Sequence, residues 1–370
     1  MNKHLHIISF NIPFPANYGG VIDVFYRIKA LAEAGVKIHL HCFEYGREPS
    51  KQLESMCEKV FYYHRSKSLY NHFSFLPFIV KSRNNKQLLD NLLQNDWPIL
   101  FEGIHSCYFL SNKLLEKRLK IVRSHNIEHD YYSFLARKTK KLPQKIYYWL
   151  EALKLRNYEK IYRYSNFIGA ISQTDFEYLT NKFGDKVFVL MPSHPNDEVE
   201  ILQAKGNYIL YHGNLSVSEN DEAAMYIVNR IAPHVPFPFV IAGKKPSVLL
   251  VMAVNQCFNV KLVASPSETE MDELLRNAHI NFLPTFQPTG FKLKLLKALF
   301  NGRFCVGTSA LTSGTGLDSL CGLADTDKTL IKMLNDLIVC DFDEKDIEKR
   351  KALLKNYSNS AVVLPLLNLI

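Results

Sequence analysis

An apolar strand pattern, a Gly-rich turn, an amphipathic helix pattern and a second strand pattern follow one another at the start of the chain, and this order commits it to a parallel sheet. His4–Phe10 (HLHIISF) alternates and then runs apolar into NIPFPANYGG, a loop rich in Pro, Asn and Gly. Val21, Val24, Phe25, Ile28 and Leu31 then recur at helical spacing within Val21–Ala34, which closes at Gly35. Val36–Phe43 alternates as the second strand. Two strands joined through a helix lie parallel in one sheet, with a right-handed crossover.

The pattern continues and then restarts. PILFEGIH and KIVRSHN read as strands, and FIGAISQTD as a strand running into a helix capped by Ser172 or Thr174. Pro143–Tyr164 is a long helical stretch, and Leu190–Asn207, with its Pro, acids and Gly, reads as a linker. Beyond it, Tyr208–His212, Pro238–Ala242, Val260–Val263 and Ile280–Leu283 read as strands, with helices over Asn220–Ile231, Glu268–Ala278 and Lys292–Phe300. The end, Asp346–Ile370, is helical and interrupted by Pro365. Because 370 residues exceed what one core usually organises, the expected domains are 1–195 and 196–345, with 346–370 as a helix returning to the first. The fold class is α/β, with two Rossmann-like domains facing each other across a cleft.

Composition narrows the partners. Hydrophobic residues make up 47% and charged residues 22%, which argues against extended disorder. The net charge of +9 favours anionic partners without choosing among them. No aromatic-rich basic module or zinc signature points to nucleic acid, so none is expected. The apolar run at the start is broken by His, Asn and Pro before a signal-peptide core forms, and the expected location is the cytoplasm. Seven Cys without a CxxC pair make disulfides and structural zinc unexpected, and Cys42, Cys305 and Cys340 sit in apolar runs that suit buried residues. His125 and His129 lack a nearby third ligand, so no bound metal is expected.

Open parallel sheets bind ligands outside the carboxyl ends of their strands. Gly19-Gly20 follows the first strand and precedes a helix, where a phosphate can approach the backbone closely, although such a pair is also an ordinary turn. GxGxxG is absent, so this is not a dinucleotide fingerprint.

FNIPFPANYGGVIDVFYRIKALAEAGVKIHLHCF resembles the opening of the group 1 (family 4) glycosyltransferases, which have the GT-B fold. RSHNIEHDYY is similar to the family's HN-bearing loop, and EALKLRNYEKIYRYSNFIGAISQTDFEYL to its long helix and following strand. VIAGKKPS and ETEMDELLRNAHINFLPTFQPTGFKLKLLKALFNGRFCVGTSAL resemble its donor-binding half. The resemblance covers most of the chain in order. It implies an acceptor-side first domain, a donor-binding second domain, Gly19 and Gly20 at the donor phosphates, and His125 as the catalytic-site imidazole near the transferred sugar. A structural His bonded to a carbonyl is the alternative, and Glu128 reads as a helix-start acid.

The donor half departs from the family pattern. Thr289 and Lys297 stand where the family carries two Glu, the second of which accepts hydrogen bonds from ribose, and a Lys cannot accept one. HGNLSVSENDEAA lacks the usual Arg and Lys for the diphosphate. Lys244 and Lys245 after a strand, and Lys292, Lys294 and Lys297 near a helix start at Thr289-Gly290, are the candidate phosphate ligands. A solvated basic helix face is the alternative. The resemblance thus implies a retaining, metal-independent sugar transfer from a nucleoside-diphosphate sugar to a saccharide or lipid-linked acceptor. No cofactor is expected. The basic charge also suits peripheral contact with an anionic membrane. A catalytically weakened relative that binds sugar, nucleotide or a partner is the competing reading.

Overall fold

Seven parallel strands form the first sheet, in the order β3-β2-β1-β4-β5-β6-β7. Its strands are β1 (His4–Ser9), β2 (Lys37–Glu44), β3 (Lys59–His64), β4 (Ile99–Glu102), β5 (Lys120–Arg123), β6 (Phe167–Ala170) and β7 (Val187–Val189). The computed structural model describes residues 3–287 and 290–370. β1 is buried from Leu5 to Ser9, as a strand covered on both faces must be. Leu5, Ile7, Val24, Phe25, Ile28 and Leu31 pack one face, and Ile8, Phe43, Phe101, Val122, Leu155 and Tyr162 the other.

The second sheet repeats this plan with six strands in the order β10-β9-β8-β11-β12-β13. They are β8 (Ile209–His212), β9 (Phe239–Gly243), β10 (Val260–Ala264), β11 (Ile280–Leu283), β12 (Phe304–Gly307) and β13 (Gly322–Leu323). Each pair is parallel. Both sheets reverse direction beside their first strand, between β1 and β4 and between β8 and β11, and each is Rossmann-like. The chain divides after Pro195, and Asn359–Ile370 groups with the first unit while Lys292–Ser358 groups with the second. Val362, Val363 and Leu366 join the core beneath the first helix, and the Asn359 side chain accepts from the His194 backbone N–H at 3.3 Å. Arg350, on the helix Glu344–Leu354, donates to the carbonyls of Leu299 and Arg303 at 2.8 Å, tying that helix into the second unit.

Several sequence readings are corrected. β3, β7, β12 and β13 went unread; β7 and β13 are edge pieces of three and two residues, too short for a periodicity to show. β12 is separated from the helix Leu293–Asn301 by Gly302 and Arg303 alone, so no turn composition announces it. A Cβ at Gly302 would collide with the Asn281 side chain and press on the Ala298 carbonyl, which favours glycine there. The first helix spans Gly19–Glu33, which places both glycines inside its first turn rather than in the loop before it. Tyr18 is extended and starts it without a side-chain cap. Pro143–Tyr164 resolves into the α-helix Leu142–Tyr158 and a 3-10 segment Glu159–Tyr164. Cys42 and Cys305 are buried, whereas Cys340 is exposed in the turn after the helix Asp327–Leu337.

Candidate functional site

In the first unit, the reversal between β1 and β4 is filled by charge. Asp23 and Arg27 lie one turn apart on the buried face of the Gly19–Glu33 helix, Glu102 ends β4, and Arg123 ends β5. Arg27 bonds Glu102 at 3.0 Å and also pairs with Asp23, which receives Arg123 at 3.0 Å and the Ser193 N–H at 2.7 Å. Two cations thus meet two anions, which is what burial of all four requires. Burial alone would raise the Glu102 carboxyl, but the Arg27 charge and the His125 hydrogen bond, with Arg123 behind them, hold it down at about 2.

His125 is fixed by this cluster. Its Nε2 is 2.7 Å from Glu102 Oε2, its Nδ1 is 3.5 Å from Asp23 Oδ2, and the Phe10 ring meets it edge-on at 5.4 Å. The expected imidazole is at the expected strand end, with both nitrogens turned to carboxylates. In this arrangement the ring is oriented rather than open to take a substrate proton. Gly103, with φ +74° and ψ 161°, turns the chain beneath it in a conformation that is essentially glycine's alone. A Cβ there would stand 3.0 Å from the His105 ring and 3.4 Å from His125.

Glu128 does begin a helix, Glu128–Lys138, but it is buried. Burial raises its carboxyl to about 7, with an Asn126 hydrogen bond opposing and Asp175 reinforcing the rise. A carboxyl poised there can exchange a proton at neutral pH.

The second unit places basic groups at its own reversal. β8 ends at His212, and the Tyr211 hydroxyl donates to the Asn220 carbonyl at 3.0 Å. Lys294 lies over the Tyr211 ring at 5.0 Å and, among the described residues, reaches the Asn220 amide oxygen at 3.4 Å. Burial, then Lys292, pushes the Lys294 amine down to about 8. Lys292 is the N-cap of the helix Leu293–Asn301, whose first turn has no side-chain cap and no acid. His212 is buried with Nε2 unpartnered, and burial, then Lys297 and Lys294, lowers it to about 3. Lys292 and Lys294 therefore gather here. Lys297 is turned aside, 2.7 Å from Asp272 on the helix Glu268–Asn277.

Lys244 and Lys245 are exposed at the carboxyl end of β9. Gly290 is at a bend with φ +72°, and Thr289 lies outside the described residues. Gly19 and Gly20 open a helix whose first turn also lacks a cap and an acid. His212, Asp272, Glu102 and the Asp23–Arg27 pair were missed in the sequence. The pair left a trace, being two charges four residues apart amid Val24, Phe25 and Ile28 on one helix face.

No protein-family model matches the chain. It is 28% identical over 334 residues, 84% of each chain, to an uncharacterized 44.6 kDa protein in the cps region of Klebsiella pneumoniae. Among solved structures it is similar to TarM, with a TM-score of 0.66 at 10% identity over 100% of this chain and 99% of that one. A glycosyltransferase from Rickettsia africae aligns with a TM-score of 0.63 at 12% identity over 99% and 97% of the two chains. Anabaena HepE, solved with UDP and glucose, aligns with a TM-score of 0.61 at 10% identity over 98% and 95%. The fold is that of the GT-B glycosyltransferases.

Proposed function

We propose that the chain is a glycosyltransferase of the group 1 type, moving a sugar from a nucleoside-diphosphate donor held by the second unit to a saccharide or lipid-linked acceptor held by the first. The observation that carries this is Lys294: a half-buried amine with no ion-pair partner among the described residues, beside an uncapped helix start at the switch point of a parallel sheet. A cation drawn partly out of water is costly unless an anion meets it, and a diphosphate supplies that anion. TarM has been solved with UDP. Lys292, Lys294 and the helix N–H groups would stabilise the leaving diphosphate without a metal. The resemblance also assigns Gly19 and Gly20 to the donor phosphates and His125, which the Asp23–Glu102 cluster orients within the first unit, to the transferred sugar. Retention at the anomeric carbon goes with the group. The Klebsiella relative lies in a cps region, in keeping with a role in building a surface polysaccharide.

The acid absent at 297 has a substitute in this reading. Asp272, held by Lys297 at 2.7 Å, carries a carboxylate able to accept from ribose hydroxyls. A second reading, binding without turnover, is favoured by the same pair if that carboxylate serves only its lysine. Titration calorimetry with UDP and other nucleoside diphosphates, followed by donor hydrolysis, tests both. Binding with turnover supports the enzyme, and binding alone supports the weakened relative. Lys294→Met should weaken nucleoside-diphosphate binding about 10- to 100-fold, the worth of a charge-assisted hydrogen bond. Unchanged affinity in that variant would remove the basis of the donor assignment.

A further inference from the structure

The helix Leu142–Tyr158 is apolar on the side it should not be. Its inner face buries Glu151, Ala152 and Leu155 against the first unit. Leu142, Ile146, Trp149, Leu150 and Leu153 are all exposed, Trp149 at 56%. At about 100° per residue these five fall within about 100° of arc, opposite the buried face. The neighbouring segment extends the patch. Lys154 donates to the His72 carbonyl at 2.9 Å and the Phe78 N–H to Glu151 at 2.7 Å, so residues 69–78 lie against this helix. That segment leaves Phe73 and Phe75 in solvent, Phe75 at 99%.

The charge around the patch is mainly positive, with one exposed acid, Asp130, lining a hollow of 390 Å³ together with Trp149, Leu153 and Arg156. Arg137, Lys140, Lys141, Lys145, Arg156, Lys160 and Arg163 are exposed, while both acids of this stretch, Glu151 and Glu159, are buried. Glu151 bonds the Phe78 N–H and Lys154, and Glu159 bonds Lys182. Residues 65–83 contain no acid. A hollow of 310 Å³ opens beside Phe75, with Lys154, Lys160 and Arg163 in its lining and no carboxylate. An apolar stripe rimmed mainly by cations matches a lipid surface with anionic headgroups: the stripe enters the acyl boundary, and the basic rim and the hollow beside Phe75 meet phosphates. A water-facing helix would keep that stripe polar.

We infer that the first unit docks on an anionic bilayer through the outer face of Leu142–Tyr158 and the Phe73–Phe75 segment. No helix among the described residues is long and apolar enough to cross a membrane, so the attachment is peripheral. The docking does not depend on the transferase reading, and it would bring a lipid-linked acceptor to that unit.

Only two tryptophans are present, so in a Trp97→Phe variant Trp149 alone reports on the stripe. The full chain is mixed with vesicles of phosphatidylcholine, alone or with phosphatidylglycerol, and followed by flotation and Trp149 emission. Binding is expected only with the anionic lipid, with a blue shift of Trp149 and release by salt. Lys140→Gln/Lys141→Gln/Lys145→Gln should lower partition about 100-fold, at about fivefold for each lysine near an anionic surface. Ile146→Asp/Leu150→Asp should abolish the blue shift while leaving nucleoside-diphosphate affinity unchanged, which also verifies folding. Absence of binding to anionic vesicles, or binding indifferent to both variants, would overturn the inference. So would self-association of the lipid-free chain that Ile146→Asp/Leu150→Asp abolishes, since the stripe would then be a protein interface.

Discussion

Acid should loosen the first unit through a histidine relay inside its sheet. The Asn91 amide donates to the Tyr63 hydroxyl at 2.9 Å, and that hydroxyl lies 2.7 Å from His41 Nδ1. His41 Nε2 is 2.8 Å from His6 Nδ1, and His6 Nε2 is 2.8 Å from Asn95 Oδ1. The directions assign the tautomers: Tyr63 donates to His41, His41 to His6, and His6 to Asn95, with one proton per bond and both rings neutral. A proton added to His6 would set its Nδ1–H against the His41 Nε2–H, and one added to His41 would set its Nδ1–H against the donating Tyr63 hydroxyl. Burial, opposed by the Asn95 hydrogen bond and aided by His39, Arg118 and His4, lowers His6 from 6.5 to about 4. Burial, then His6 and His39, lowers His41 as well. Because these folded-state values lie below the unfolded one, the unfolded chain binds more protons as pH falls below 6.5. Stability from the neutral relay is therefore full above that point and lost toward pH 4. For His6 alone the loss at pH 5 is about 2 kcal/mol, from about 1.4 kcal/mol per pH unit. The assay is urea unfolding at pH 7.5 and 5.0 in a Trp149→Phe variant, where Trp97, stacked on His4 at 4.0 Å, reports on this sheet. Replacing both rings, His6→Leu/His41→Leu, should reduce the pH-dependent loss by at least that amount, whatever it does to stability at pH 7.5. Equal losses in both proteins, or a His6 that titrates near 6.5 by NMR, would refute the relay.

Two further outcomes follow from the sites. Gly103→Ala should destabilise the first unit by about 1–3 kcal/mol in urea unfolding, from backbone strain and contact with the His105 and His125 rings. A midpoint matching the parent would show that the turn relaxes freely. Asp272→Asn should weaken UDP several-fold and leave pyrophosphate binding unchanged, since only the nucleoside diphosphate carries ribose hydroxyls. Equal weakening of both ligands would place Asp272 at the phosphates instead.

How much of this was legible depends on the length over which the sequence speaks. The opening strand, helix and strand were readable because Leu5, Ile7, Val24, Phe25, Ile28 and Leu31 are regular apolar positions in long elements, and all are buried. The restart at Tyr208 was readable for the same reason. Ser172 was read as one of two candidate caps, and it accepts from the Asp175 N–H at 3.1 Å. β12 was hidden because the Gly302-Arg303 turn is only two residues long and its glycine is selected by the Asn281 side chain from a distant strand. The relay was hidden too. His6 and His41 come together only because β1 pairs β2 with His6 opposite His39, and one sequence does not fix a register.

The candidate sites show the same division at the level of charge. A one-residue reading can mark Lys297 as an acid replaced by a base, and that reading suggests decay. It cannot see that Asp272, twenty-five residues earlier, pairs with Lys297 at 2.7 Å, because the pairing needs two helices brought side by side. Nor can it separate Lys294 from Lys297, three residues apart on one helix. Lys297 has a carboxylate partner, while Lys294 lies half-buried over an aromatic ring with an amide oxygen at 3.4 Å. Since a cation drawn partly out of water is costly unless something offsets its lost hydration, the difference in partners, rather than the count of lysines, is what leads us to propose the anion site at Lys294.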